Sequence, residues 1–228
     1  MRRICFFILI CCCLAAIARE GNKGKRVLIA TNKGNITVEL YDETPRHRDN
    51  FLHLCATHYY DSLLFHRVIE NFMIQGGDPD SRHARMDKPL GEGGPGYTLP
   101  AEIDFPRHFH RRGALAAARE GDKTNPQRRS SGSQFYIVWG RRFTKKEVRK
   151  MAQQLQEKSE GKITMPEDVK ETYVKTGGAP HLDGTYTVFG QVVEGLDVVE
   201  RIQKVATIEG DRPFDDIVIL STTILTGQ

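Results

Sequence analysis

The order of hydrophobic and polar residues predicts a β-hairpin followed by a helix early in the chain. An apolar run at 26–31 and an alternating run at 36–40 flank a short polar turn, which is the pattern of two paired strands. Thr44 and Pro45 then have the residue types of an N-cap and a first helical position. Apolar residues at helical spacing follow, so we expect an amphipathic helix over residues 45–58. The residues at this spacing are Phe51, Leu54, Cys55 and His58.

Short apolar segments, separated by Gly and Pro, dominate the rest of the chain. These segments are Leu64–Val68, Phe72–Gln75, Tyr97–Leu99, Ala114–Ala118, Gln134–Val138, Tyr186–Val193 and Asp216–Ile224. Several short strands with only two framework helices predict a mainly β fold, either an antiparallel barrel or a sandwich. The second framework helix is expected after Gly195, with Leu196, Val199 and Ile202 on one face.

Residues 141–180 break this pattern and predict a partly helical insertion. Thr144 and Glu147 have the spacing of a capping box, and a polar helical run continues to about Glu160. A second short helix is expected over residues 166–175. The segment is too polar for a separate domain, so we interpret it as a solvated decoration.

The first eighteen residues have the pattern of a secretory signal. Two arginines precede an apolar run over residues 4–15, and the small-x-small exit at Ala16–Ala18 is followed directly by charged residues. The run is too short for a comfortable membrane span. We expect cleavage after Ala18, with an uncleaved anchor and lipidation at Cys11–Cys13 as open alternatives.

Composition narrows the classes further. Among 228 residues, 39% are hydrophobic and 27% are charged, which indicates a globular chain, and a net charge of +4 is too small to predict nucleic-acid binding. Loss of residues 1–18 would remove two arginines, leaving 31 bases against 29 acids and a net charge of +2. Cys55 would then be the one remaining cysteine, which excludes an internal disulfide and a cysteine metal site. We expect a buried core thiol there.

The most informative segment is FHRVIENFMIQGGD, at residues 65–78. After Arg67, a turn leads to an aromatic ring, a thioether and an amide at Phe72, Met73 and Gln75, on strands whose alternate residues share a face. This pattern is typical of a small apolar pocket with a permanent cation at its wall. A structural ion pair beside ordinary core residues would have the same residues, and composition alone favours that simpler interpretation.

The segment also resembles the signature of the cyclophilins, the cyclosporin-sensitive class of peptidyl-prolyl cis-trans isomerases. The motifs that match further along, in order, are GALAAAR at 113–119, GSQFYI at 132–137 and LDGTYTVFGQVV at 182–193. Four ordered motifs are far more specific than one. The resemblance implies an eight-stranded antiparallel β-barrel capped by two α-helices over residues 27–228, interrupted by the 141–180 insertion and preceded by a polar lead-in at 19–26.

The resemblance also implies roles for individual residues. Arg67 would be the catalytic cation, and Gln75 would lie beside it and help to orient it and the substrate carbonyl. The residues lining the proline pocket would be Phe72, Met73, Tyr136 and Leu182. The residues bordering the groove for the positions before proline would be Ala118, Arg119 and Gln134, with His181 and Tyr186 at the pocket edge. His66 is expected to be structural.

Three residues depart from the best-known eukaryotic pattern. His181 replaces the Trp that binds cyclosporin, so we expect weak binding of the drug. Tyr186 replaces a His, and Tyr136 replaces a Phe, which leaves a hydroxyl that needs a partner if it is buried. Three features resemble exported bacterial members of the family. They are Arg119 in its Ala-Arg pair, the lengthened loop to Ser133 and the signal pattern. The expected location is therefore the periplasm or cell envelope of a bacterium, with membrane anchoring left open.

The implied reaction is rotation about Xaa-Pro bonds, which would assist the folding of exported proteins. Amide resonance opposes rotation by roughly 18–20 kcal/mol, and twisting turns the prolyl nitrogen into a hydrogen-bond acceptor. A guanidinium beside that nitrogen therefore favours the twisted form. No bond breaks, so we expect no metal and no cofactor. Expected partners are proline-containing peptides and unfolded proteins, and the protein is expected to be a monomer. The alternative is a binding module that binds such peptides without useful turnover.

Other signals are weaker. Ser133 with His66 and Asp78 could be imagined as a hydrolase triad, but no Gly-x-Ser-x-Gly elbow surrounds the serine. The two histidines at 108–110 lack further metal ligands at useful spacing, so we interpret them as a polar loop. Residues 91–96 are rich in glycine without the lysine of a phosphate loop, and we expect positive φ angles there.

Overall fold

The computed structural model describes residues 25–225, and the predicted signal at 1–18 lies outside them. The described strands are β1 (Arg26–Thr31), β2 (Gly34–Leu40), β3 (Arg67–Ile69), β4 (Met73–Gly76), β5 (Thr98–Leu99), β6 (Ala114–Ala117), β7 (Ser130–Ser131), β8 (Phe135–Val138), β9 (Val188–Glu194) and β10 (Ile219–Leu225). The described α-helices are α1 (Pro45–Ala56), α2 (Lys145–Lys158), α3 (Glu167–Lys175) and α4 (Leu196–Gln203). No helix in this part of the chain has the length and hydrophobicity needed to cross a bilayer.

Eight strands form one curled antiparallel sheet in the order β10-β1-β2-β9-β6-β8-β4-β3. The two edges approach each other, because Leu64 forms a bridge with Val218 and the Phe65 N–H donates to Ile217 O at 2.9 Å. Joining the edges satisfies backbone groups that an open sheet would leave unpaired. The predicted eight-stranded antiparallel barrel with two framework helices is confirmed.

The interior of the curled sheet is the main core. Alternate residues of the first hairpin enter it, as their spacing predicted, and α1 and α4 contribute to it from the two framework positions. Cys55 is 2% exposed, and burial raises the pKa of its thiol to about 12, so it is the inert core thiol expected. Leu196 was expected on the inner face of α4 but is 38% exposed, because the buried stripe runs through Val198, Val199 and Ile202.

Helix α1 begins where the sequence predicted, but a distant carboxylate binds its free N–H groups. Thr44 is the N-cap residue, yet its hydroxyl donates to Tyr41 O at 3.5 Å and makes no cap hydrogen bond. Glu102 accepts the backbone N–H groups of Arg46 and His47 at 3.1 and 3.0 Å. The orphan donors of the first turn are thus satisfied by a residue from the loop before β6.

Helices α2 and α3 lie in the segment 141–180, for which the sequence predicts a partly helical insertion. The predicted capping box is present, since the Glu147 N–H donates to Thr144 Oγ1 at 3.2 Å and the Thr144 N–H donates to Glu147 at 2.8 Å. The interpretation as a solvated decoration is wrong for the inner side of the insertion, which has a buried apolar cluster of its own. The buried members are Phe143, Val148, Met165, Val169 and Tyr173. A fully solvated segment would leave such side chains exposed. Their burial instead attaches both helices to the rest of the fold.

His66, directly before β3, is buried, with 3% exposure. Burial lowers the pKa of its imidazole to about 4, because a charged ring would lose its hydration. The unfolded chain binds a proton on this residue below about pH 6.5, whereas the folded chain does not until about pH 4. The contribution of neutral His66 to the free energy of unfolding is therefore fully present above pH 6.5, and it is lost as the pH falls from 6.5 to 4.

We predict that this linkage lowers the free energy of unfolding by about 3 kcal/mol between pH 7 and pH 4. His66→Gln removes the titrating group, so denaturant melts of this variant should lose less stability over the same range. His53→Gln, which changes an exposed histidine of α1, should retain the wild-type dependence. Equal pH dependence in His66→Gln and wild type would contradict a buried neutral His66.

Candidate functional site

Antiparallel pairing brings three of the predicted site residues into one row across the sheet. Arg67 on β3 lies opposite Gln75 on β4. Gln75 lies opposite Tyr136 on β8, and Tyr136 lies opposite Ala116 on β6. Directly opposed residues of antiparallel strands project to the same face. This is the face turned away from the main core, because the intervening residues of β8 are the ones that enter it.

A second apolar cluster covers the outward face beside this row. Met73 and Tyr136 are buried in it, with 2% and 5% exposure. The predicted site residues that are partly buried against this cluster are Phe72, Ala118, Leu182 and Tyr186. The exposed His181 has its ring 5.2 Å from that of Phe72. The residues assigned to the proline pocket are therefore neighbours in the fold, and they form an apolar surface next to Arg67.

The Arg67 guanidinium is held at one edge by a carboxylate that the sequence did not single out. Arg67 Nε donates to Asp211 Oδ2 at 3.1 Å, and the two side chains are 42% and 43% exposed. Asp211 ends a short 3₁₀ turn with a φ of 63°, a conformation that Asp and Asn adopt more readily than other residues with a Cβ. Because this ion pair uses Nε, it restricts the rotation of the fork without occupying the two terminal nitrogens.

Gln75 and Gln134 form an amide pair that ties a glycine-rich loop to the sheet. Gln75 Nε2 donates to Gln134 Oε1 at 2.9 Å. Gln134 Nε2 in turn donates to the carbonyl oxygens of Gly91 and Gly93, both at 2.8 Å. Gly91 has a φ of 111°, which agrees with the positive φ angles predicted for this loop. The backbone register places Gln75 beside Arg67 as expected, while its amide group orients Gln134.

Arg119 supports the edge of the apolar surface. Its side chain is only 4% exposed, with Nη1 at 2.7 Å from Asp122 Oδ1. Its Nε donates to Thr185 O at 2.9 Å, and its guanidinium carbon lies 4.2 Å from the centre of the Tyr186 ring. Stacking of a guanidinium on an aromatic face is favourable and restrains both groups. Arg119 therefore fixes the orientation of Tyr186.

Three buried polar side chains, those of Tyr173, Asp183 and His110, form a chain of hydrogen bonds that reaches Tyr136. Tyr173 Oη donates to Asp183 Oδ2 at 2.6 Å, and His110 Nδ1 lies 2.9 Å from Asp183 Oδ1. His110 Nε2 lies 3.0 Å from Tyr136 Oη. All four side chains belong to residues that are at most 5% exposed, and burial raises the pKa of the Tyr136 hydroxyl well above its ordinary value. The interpretation of residues 108–110 as a polar loop is thus wrong for His110.

Ser130, His47 and Glu102 form a serine–histidine–carboxylate chain that the sequence did not suggest. Ser130 Oγ lies 2.9 Å from His47 Nε2, and His47 Nδ1 lies 2.7 Å from Glu102 Oε2. Ser130 and His47 are 1% and 2% exposed, which leaves no room for a substrate at the serine. Since Glu102 also binds the first turn of α1, this serine–histidine–carboxylate arrangement has a structural role. Ser133, the serine considered from the sequence, donates to Gly77 O at 2.7 Å instead.

A curled antiparallel sheet with an arginine beside an outward apolar surface is the arrangement that the cyclophilin resemblance implies. The profile of the family described as cyclophilin type peptidyl-prolyl cis-trans isomerase/CLD matches residues 26–224. The chain therefore belongs to the cyclophilin family, and it is a cyclophilin-type peptidyl-prolyl cis-trans isomerase.

Known proteins agree with this assignment. A peptidyl-prolyl cis-trans isomerase of Staphylococcus saprophyticus is 38% identical over 215 residues, which cover 90% of this chain and 94% of that protein. A bifunctional phosphatase/peptidyl-prolyl cis-trans isomerase of Streptococcus pyogenes is 36% identical, but the match covers 38% of its length and 88% of this chain. The crystal structure of a Cryptosporidium parvum cyclophilin type isomerase superposes with a TM-score of 0.64, at 26% identity, over 90% of this chain and 99% of that one. It was also crystallised in the presence of the dipeptide Ala-Pro.

The Asp211 contact generates a prediction for the isomerase. Asp211→Asn keeps the size and the turn conformation but removes the charge, so Arg67 loses its charge-assisted hydrogen bond. We expect kcat/KM to fall roughly three- to tenfold, since such a bond contributes on the order of 1 kcal/mol of orientation. Glu209→Gln neutralises the other acid of the same 3₁₀ turn and should leave kcat/KM unchanged. Equal rates for Asp211→Asn and wild type in a proline-peptide assay would contradict this role.

Proposed function

We propose that Arg67 is the catalytic cation of this isomerase. The proposed proline-binding residues are Phe72, Met73, Tyr136 and Leu182, and the proposed border of the neighbouring groove is Ala118, Arg119, Gln134, His181 and Tyr186. The observation that carries the proposal is the position of Arg67, restrained by Asp211 in the row that continues through Gln75 to Tyr136. The Ala-Pro dipeptide used with the related Cryptosporidium protein supports proline-containing peptides as ligands here.

The proposed mechanism is preferential binding of the twisted peptide bond. In the planar bond the prolyl nitrogen shares its lone pair with the carbonyl and accepts no hydrogen bond. Rotation localises the lone pair, and a terminal nitrogen of Arg67 then donates to it. The apolar surface excludes water from the proline side, which strengthens this interaction. The guanidinium is always charged at physiological pH, so it needs no proton transfer to act.

We predict that Arg67→Ala lowers kcat/KM about a hundredfold, the usual consequence of removing one transition-state donor. The assay follows a proline peptide whose trans form alone is cleaved by an added protease. Arg26→Ala is the matched control, because Arg26 also pairs with a carboxylate, Glu39, and is 38% exposed on β1. It should keep the wild-type rate. Full activity in Arg67→Ala would overturn the proposed role.

We further propose that the isomerase acts on exported proteins, in the periplasm or envelope of a bacterium, and assists their folding. The support for this proposal is the sequence pattern of residues 1–18, which has a basic start, an apolar run and a small-residue exit. Uncatalysed prolyl isomerisation takes on the order of tens to hundreds of seconds, which is slow enough to limit folding. Weak binding of cyclosporin stays a prediction, which titration of the drug in the same assay checks.

Export gives a prediction about the mature protein. When the chain is produced in a bacterium and recovered from the envelope fraction, mass spectrometry should show an N-terminus at Arg19, because cleavage follows Ala18. Ala18→Pro, which disfavours cleavage at a small-residue exit, should leave the longer form. A mass that corresponds to a lipidated cysteine at Cys11–Cys13, or an intact Met1 in the wild type, would contradict cleavage at this place.

A further inference from the structure

We propose that Tyr173, Asp183 and His110 are positioning residues that fix the Tyr136 ring, and that they make the insertion a working part of the isomerase site. This inference rests on the proposed place of Tyr136 in the proline-binding surface. The three residues would not touch the substrate. They would act by holding one wall of the surface in a single orientation.

The directions of the hydrogen bonds follow from the Asp183 carboxylate. It accepts the Tyr173 hydroxyl at 2.6 Å and, on its other oxygen, the His110 backbone N–H at 3.0 Å and Nδ1 at 2.9 Å. An ionised carboxylate only accepts, so His110 Nδ1 carries a hydrogen. In the neutral ring Nε2 is then the acceptor, and the Tyr136 hydroxyl donates to it at 3.0 Å. Every member of the chain of hydrogen bonds is satisfied.

This chain of hydrogen bonds restrains the Tyr136 ring. The planes of the His110 and Tyr136 rings are nearly parallel, with an angle of 11° between them. Rotation about the Tyr136 Cα–Cβ bond would move the hydroxyl away from His110 Nε2 and leave both groups unpaired in the interior, where the Tyr136 residue is 5% exposed. A phenylalanine at this position would lack the restraint. The hydroxyl therefore holds the Tyr136 side chain in one position.

The base of the insertion is locked to the same place. Ala179 N–H donates to His110 O at 2.8 Å, and Gly178 forms bridges with both Arg111 and Arg141. A Cβ on Gly178 would lie 2.3 Å from His110 O, so the two backbone segments lie too close together for any side chain at this position. Tyr173 itself is fully buried in the apolar cluster of the insertion. The Tyr173 hydroxyl therefore connects the helices with Asp183, and Asp183 in turn holds His110.

The test is a double-mutant cycle measured in the protease-coupled assay on the full chain. Tyr173→Phe removes one hydroxyl from the chain of hydrogen bonds and keeps the packing. We expect kcat/KM to fall roughly three- to tenfold, mainly through a higher KM, because the wall of the binding surface is loosened in ground and transition states alike. In the Tyr136→Phe background the link to the surface is already absent, so Tyr173→Phe should have no further effect.

Val169→Ala is the matched control, because Val169 is buried in the same cluster but its apolar side chain is not part of the chain of hydrogen bonds. It should lower the melting temperature while kcat/KM stays at the wild-type value. An equal loss of kcat/KM from Tyr173→Phe in both Tyr136 backgrounds would overturn the inference, and so would an equal loss from Val169→Ala. Arg67→Ala distinguishes failure of this inference from failure of the proposed function. If Arg67→Ala is inactive and the effects of Tyr173→Phe and Tyr136→Phe simply add, the positioning role alone is refuted. If Arg67→Ala is fully active, the proposed function is refuted.

Discussion

The register of the antiparallel pairs β3–β4, β4–β8 and β8–β6 is the constraint on which the site depends. A slip of one residue would turn Gln75 and Tyr136 toward the main core and expose Ile74 and Phe135, which are 0% and 2% exposed. Core burial thus fixes the register. The register in turn fixes the row that begins at Arg67. The backbone position of Arg67 relative to the apolar surface is therefore a consequence of the hydrophobic interior, and the Asp211 contact then restrains its guanidinium.

Four side chains of the candidate site each have a partner that restrains them. The pairs are Arg67 with Asp211, Gln75 with Gln134, Tyr186 with Arg119, and Tyr136 with His110. Such partners hold a binding surface near its productive geometry before a ligand arrives, which reduces the ordering cost of binding. A reaction that breaks no bond depends on this restraint, because the protein can lower the barrier only by fitting the twisted peptide bond better than the planar ones.

Local patterns were sufficient for the framework and insufficient for the partners. Alternation located the first hairpin, and ordered motifs located Arg67 and the residues assigned to the proline pocket. His110 and Asp183 escaped prediction because their contact spans 73 positions and leaves no periodic signal. The insertion was misjudged for a related reason, since its few apolar residues, such as Val169 and Tyr173, are scattered among charges and become a cluster only when two helices pack.

The most direct test of the account is an NMR titration of labelled wild-type protein with the dipeptide Ala-Pro. The account predicts that shifts concentrate at the Arg67 Nε–H, the Met73 methyl and the Tyr136 ring, and that cis–trans exchange peaks of the dipeptide appear with added protein. Shifts centred on the cavity of about 270 Å³ that Lys145 and Lys170 line between α2 and α3, with Arg67 and Met73 unchanged, would contradict it.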